Sequence, residues 1–414
     1  MDTSPPHVAL DDIIEPATLA AVLRHAGLPA GRVEVAATGP VAAGYSGARL
    51  TRLTLRVTPR GGRAAWWGAL VLKEIAPCQG WLGAASEDHK LREVQLWRTG
   101  LLGALPVGIE TGVLATGLAG PHTAPMAGAL LLRDARRWLL ADPLTAPTPG
   151  SAFLTRLLDA LARLHAVYWE DPRLRDPSVG LTPARAALLL AAPATVAARL
   201  TAGERNPYMA AIPDRWEAFL ALAAPDAAAA MRSVLADPAP IVAAIARLPA
   251  TLVHGDVWGP NVGIMPPARA AAGGRTGRRL LLLDWALATA GPALYDPLWL
   301  AGTWHALDPR QLLARYRARL TRHLAARGIR VDPVIWHGLV DAAYLRTVLV
   351  CGESIGHDVA LGRIPAARAR WWAARAARGA EELVAQACRR PAQSPIIPSS
   401  DRFISGYDQS FARQ

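Results

Sequence analysis

The stretch Leu252–Met265, LVHGDVWGPNVGIM, restricts the fold of this chain more than any other. Two apolar runs, Thr251–Val253 and Val262–Met265, read as short buried strands. Between them lie His254-Gly255-Asp256, the turn formers Gly259-Pro260, and Asn261. Glycine and proline supply a tight reversal. An acid and an amide five residues apart on such a loop need a reason beyond packing. A further apolar run, LLLLDW, reads as another buried strand and ends at Asp284.

The chain has 414 residues, too many for one ordinary core, so two lobes with additions are expected. Pro16–Gly27 has the proline start and glycine stop of a short helix. Strands are expected at Arg32–Thr38, Leu50–Val57, Trp66–Ile75, Gly108–Thr116 and Gly128–Arg133. A helix is expected over Ser86–Gly100, where apolar Leu91, Val94 and Trp97 recur at spacing three. The sequence AAGYSGARL makes a small-residue loop between the first two strands. From Asp134 the pattern turns helical, with Ser151–Trp169, Thr182–Thr201, Arg215–Ala224 and most of Leu298–Arg390 as candidates. PPARAAAGGRTGR reads as an exposed loop. The division this implies is an N-terminal helical extension (1–31), a small lobe (32–134), a helical lobe (135–390) and a disordered tail (391–414).

Apolar residues make up 52% and charged residues 19%, a globular composition. No uninterrupted apolar run is long enough for a membrane helix, and MDTSPPHVALDDIIEP lacks the marks of a signal peptide. Cys78, Cys351 and Cys388 are sparse and odd in number, which suits reduced thiols and a cytoplasmic location. The net charge of +12 invites a nucleic-acid reading, yet the arginines are scattered through amphipathic helices and no nucleic-acid motif accompanies them. The densest basic segment, Arg363–Arg390, reads as a solvated helical face with an apolar stripe carrying Trp371 and Trp372. No nucleic-acid or membrane partner is expected, and the oligomeric state stays open.

Of the 45 basic residues only Lys73 and Lys90 are lysine, and asparagine occurs only as Asn206 and Asn261. A compact ammonium and a planar guanidinium are not interchangeable. A lysine kept inside the strand WWGALVLKEI therefore suggests a chemical need.

Four features stand in one order: a small-residue loop between strands, a strand lysine, a loop acid with an amide five residues on, and an acid at a strand end. Phosphoryl transfer from a nucleotide asks for such a set, because catalysis there is mostly positioning and charge neutralisation. Two oxygen-bearing side chains can hold Mg²⁺, a lysine can neutralise phosphate, and a separate carboxylate can accept a hydroxyl proton. Each feature alone has a plainer reading: Asp256 a turn cap, Asn261 a loop amide, Lys73 a side chain snorkelling from an edge strand. His254 reads as a buried scaffold for the loop, and Asp296 as a structural cap.

HGDVWGPN followed by LLLLDW resembles the aminoglycoside phosphotransferase and choline kinase family of the protein-kinase-like superfamily, over roughly Arg32–Asp296. The resemblance implies an α/β (α+β) two-lobed kinase-like fold. Its small lobe would be a five-stranded antiparallel sheet with one main helix, its larger lobe mostly helical. It implies ATP and Mg²⁺ as cofactors, with Asp256 as catalytic base and Asn261 and Asp284 as metal ligands. Lys73 would meet the phosphates with Glu93 as its helix partner, although Glu93 could instead pair locally with Lys90 at i,i+3 and Glu87 competes for the same role. Asp134 would form the hinge that meets adenine. Ser46 and Gly47 would approach the phosphates, although GYSGARL lacks the full G-x-G-x-x-G spacing.

No long segment follows Asp284 to dock a peptide, so the expected acceptor is a small-molecule hydroxyl: aminoglycoside-, choline- or sugar-like. Pocket candidates are Trp258, Trp169, Tyr295, Glu353, His357 and Asp358, the last three in a stretch whose favoured reading is an exposed loop. Two alternatives stay open: a kinase-shaped nucleotide-binding protein without turnover, and a metal-dependent hydrolase using His254, Asp256 and Asp284.

Overall fold

The computed structural model describes residues 6–29, 31–41, 47–59, 61, 65–120, 126–142, 149–266 and 279–389. Ser46, most of the 266–278 loop and the 391–414 tail lie outside them. The fold is mixed α/β, with a sheet-bearing N-terminal lobe and a larger helical C-terminal lobe.

Strands β1 (His7–Ala9), β2 (Arg32–Pro40), β3 (Arg49–Thr58) and β4 (Trp66–Ile75) open the chain, around helix α1 (Pro16–His25). Helices α2 (Gly80–Ala85) and α3 (Arg92–Arg98) follow, then β5 (Ile109–Glu110), β6 (Val113–Ala119) and β7 (Ala127–Arg133). The small-lobe sheet has six strands in the order β1-β6-β7-β4-β3-β2. All pairs are antiparallel except β1 on β6, where His7 faces Thr116 in parallel register. The expected five strands therefore need correction, because the N-terminal extension supplies an edge strand as well as a helix.

Two further expectations are corrected. The helix expected over Ser86–Gly100 starts only at Arg92, because Glu87 (φ +56°) and Leu91 (φ +58°) take left-handed conformations. Asp88 then caps it, its Oδ1 accepting the Arg92 amide at 2.8 Å. The strand expected over Gly108–Thr116 is broken at Gly112 (φ +71°). Its first part, β5, leaves the sheet and pairs in parallel with the large lobe.

Alternation along the strands divides the small lobe's side chains between two cores. Leu70 and Leu72 of β4, with Ala129 and Leu131 of β7, pack toward Leu19, Val22 and Leu23 of α1. Their neighbours Val71, Lys73, Leu130 and Leu132 point the other way, to the cleft between the lobes. The period of two thus puts the lysine on the cleft wall.

The large lobe begins with α4 (Ser151–Val167), followed by α5 (Ala184–Leu189), α6 (Pro193–Thr201), α7 (Pro207–Ala210), α8 (Ile212–Leu222), α9 (Pro225–Ala236) and α10 (Ala239–Ile245). The single helix expected over Thr182–Thr201 is two, since Pro193 cannot continue the first and instead starts the second. Strands β8 (Thr251–Val253), β9 (Val262–Met265), β10 (Arg279–Leu282) and β11 (Thr289–Gly291) carry the loops of interest. They form a β5-β10-β9 sheet and a β11-β8 pair. Helices α11 (Tyr295–Thr303), α12 (Pro309–Ala325), α13 (Pro333–Ala360) and α14 (Ala366–Arg389) complete the lobe. Helix α13 is long and apolar enough to cross a membrane, but 78% of its most apolar window is buried inside the lobe.

Candidate active site

A cleft of about 520 Å³ separates the lobes, and Lys73, Glu93, Asp134, Asn261 and Asp284 are all on its wall. Lys73 Nζ lies 2.5 Å from Glu93 Oε2 and 3.0 Å from Asp284 Oδ1. Burial works against the ammonium's charge, but the carboxylates of Asp284 and Glu93 outweigh it and hold its pKa above lysine's ordinary value. Burial pushes Glu93 up to about 6, with Lys73 pulling against it. Asp284 is also desolvated, yet the Lys73 charge keeps it below the usual carboxylate range. The competing local pair for Glu93 is not made: Lys90 instead donates to the Pro177 carbonyl at 2.7 Å.

The register of β9 on β10 sets Val262 opposite Leu282. The loop residues just outside that pair, Asn261 and Leu283, are joined by a 2.8 Å backbone hydrogen bond. Asn261 and Asp284 therefore reach the cleft side by side. Asp284 sits at φ +60°, a conformation costly for a residue with a Cβ. Asn261 Nδ2 donates to Asp256 Oδ2 at 2.8 Å and to the Asp256 carbonyl at 3.2 Å, leaving its amide oxygen as the atom to meet a cation. Carboxylate and amide oxygens are the donor types that Mg²⁺ takes, so this pair fits that ion. Asp256 is half-buried, and desolvation with the nearby charge of Asp284 pushes it up to about 7, against the pull of Arg346.

The loop is held from beneath. His254 donates from Nε2 to the Leu283 carbonyl (2.9 Å) and accepts the Asp256 amide at Nδ1 (3.2 Å). Both ring nitrogens are thus committed to the scaffold, which removes His254 from the hydrolase alternative. Among the described residues there is also no group of three or more His, Cys, Asp or Glu placed to hold a metal. Asp296 is fully buried and accepts the amides of His254 and Gly255, both at 2.9 Å, and His165 Nε2 at 3.0 Å. Gly255 has no substitute here: at φ +84°, an added Cβ would stand 2.4 Å from the Leu287 carbonyl oxygen.

Asp296→Ala would strip two buried amides and a histidine of their acceptor. Each such orphan costs about 1–3 kcal/mol, so a stability loss on the order of 3 kcal/mol or more is expected in urea denaturation. A loss below about 1 kcal/mol would remove Asp296 from this role.

Other sequence expectations divide. Asp134 lines the cleft, but its carboxylate is held by Arg52 (3.1 Å) and Arg136 (2.9 Å), so only its backbone region is offered to a ligand. Gly47 is not among the cleft-lining residues; it packs on Gly80, and Gln79 Nε2 takes its carbonyl at 3.0 Å. The stretch holding Glu353, His357 and Asp358 is part of helix α13, not a loop. Glu353 accepts Tyr208 Oη at 2.5 Å and meets Arg215 at 3.5 Å, while Asp358 is paired with His305 (2.7 Å) and Arg363 (2.8 Å). Tyr295 and Trp169 are buried, and Trp258 is half-buried. The sequence reading missed Arg346, whose fully buried guanidinium rests over the Tyr295 and Trp299 rings and donates to the Gly255 carbonyl at 3.2 Å. It also missed Arg92. Nothing marked either one among so many arginines.

Residues 129–329, which carry the loop acid, the amide and the strand-end acid, match the phosphotransferase enzyme family. The match indicates a small-molecule kinase, as the resemblance implied. No curated protein matches its sequence. Similar solved structures include wild-type aminoglycoside 2'-phosphotransferase-IIIa in complex with GDP (15% identity, 90% of this chain and 99% of that one, TM-score 0.38). Another is the macrolide 2'-phosphotransferase MphH from Brachybacterium faecium (17%, 93% and 100%, TM-score 0.35). A third is the choline kinase LicA from Streptococcus pneumoniae (12%, 85% and 94%, TM-score 0.34). The phosphotransferase family match and the geometry of the cleft carry the functional argument.

Proposed function

We propose that this protein transfers the γ-phosphoryl group of ATP to a hydroxyl of a small molecule, with Asp256 as the base. The observation that supports it most is the convergence on one cleft of Lys73, paired with both Glu93 and Asp284, and of Asn261 beside them. Lys73, charged and fixed by two carboxylates, would meet the phosphates that stay on the nucleotide. Asn261 and Asp284 would hold Mg²⁺, which supplies neutralisation of phosphate charge when bound. Asp256, hydrogen-bonded to Asn261, would orient the acceptor hydroxyl and take its proton. The apolar surface of Val71, Leu130, Leu132 and Leu139 suits a flat base next to the backbone at Asp134.

A coupled assay for ATP consumption across alcohols, amino sugars, amino alcohols and macrolides tests this. An acceptor that raises turnover well above the acceptor-free rate is the expected result. Tight Mg²⁺-dependent nucleotide binding with no phosphorylated product from any acceptor would instead favour the binding protein without turnover.

A further inference from the structure

Helix α3 also carries Arg92, a charged residue that phosphoryl transfer as described does not use. It has no exposed surface. Its guanidinium spreads over three segments of chain. Nε donates to the Gly180 carbonyl at 2.8 Å, and Nη2 to the Ser86 carbonyl at 2.9 Å. Nη1 meets Ser86 Oγ at 3.3 Å and also the Ala286 carbonyl. Ser86 belongs to the small lobe; Gly180 and Ala286 belong to the large one, and Ala286 is two residues past Asp284. The adjacent Glu93 grips the same loop one residue earlier, its Oε1 accepting the Trp285 amide at 3.1 Å. Burial lowers the Arg92 pKa, with Asp88 and Glu93 opposing. A buried cation is tolerable only when its donors are matched, and the planar fork spans acceptors that a lysine ammonium could not reach together.

We propose that Arg92 is a positioning residue that clamps α3 to the loop carrying Asp284, so that Lys73, Glu93 and Asp284 stand assembled before a nucleotide arrives. The catalytic consequence rests on the phosphotransferase reading; the clamp itself does not. Full-length Arg92→Met and Arg92→Lys variants test it by amide hydrogen exchange in the nucleotide-free protein, together with the affinity of a fluorescent adenine nucleotide with and without Mg²⁺. Exchange at residues 284–288 should quicken about tenfold or more in Arg92→Met, with α13 unchanged, and by less in Arg92→Lys. Affinity for the nucleotide with Mg²⁺ should fall about tenfold, and without Mg²⁺ by no more than about twofold. Unchanged exchange at 284–288 in a folded variant, or a uniform rise across the whole chain, would overturn the clamp. Should Arg92→Met fail to fold, Arg92→Lys carries the same exchange comparison. If the parent binds no nucleotide, the proposed function fails while the exchange result still decides the clamp.

Discussion

Asp256→Asn protein will hold Mg²⁺ and nucleotide as the parent does, and will transfer phosphate on the order of 10²–10⁴-fold more slowly, the usual worth of a placed general base. The substitution is nearly isosteric, and the amide oxygen that replaces Oδ2 can still accept from Asn261 Nδ2, now 2.8 Å away. The loop's other supports, through His254, Asp296 and Arg346, do not involve the Asp256 side chain. What the change removes is the basic carboxylate oxygen proposed to take the proton. The check is kcat measured with a productive acceptor alongside the nucleotide dissociation constant with Mg²⁺ present. Parallel collapse of affinity and turnover would move Asp256 from proton transfer to metal binding.

Asp284→Ala should give the opposite profile. It deletes the carboxylate proposed to hold the metal and one of two partners of Lys73, whose Nζ is 3.0 Å away. Glu93 remains at 2.5 Å, so the lysine stays charged and in place. Affinity for nucleotide without Mg²⁺ should therefore change little. The gain in affinity that Mg²⁺ brings should vanish, and turnover should fall about 10³-fold or more, because a metal contributes several kcal/mol at about 1.4 kcal/mol per decade. Isothermal titration with and without Mg²⁺ separates the two effects. Retention of the Mg²⁺-dependent gain would take Asp284 out of the metal site.

The elements that local pattern specifies were the ones readable from sequence. Trp66–Ile75, Thr251–Val253 and Val262–Met265 begin and end where apolar alternation or turn formers place them. Lys73 stood out because lysine is so rare here. What escaped depends on partners distant in sequence. Strand β1 is three residues with no pattern of its own, and its place is set by β6 more than a hundred residues later. The break at Gly112 is invisible until β10 offers β5 another sheet. The start of α3 depends on the left-handed turns at Glu87 and Leu91, residue types that seldom adopt them. Arg92 and Arg346 owe their importance to carbonyls that only the folded chain brings near.

The β6–β7 hairpin stands with both feet on the same small sheet. At one foot β5 is hydrogen-bonded to β10; at the other, Leu139 bridges to Gly263 of β9. Gly112 stands at the first foot, where an added Cβ would crowd a methyl of Leu283, the residue before the strand-end acid, at 3.1 Å. One short sheet thus sets both the footing of the small lobe and the place of Asp284, just past the end of β10.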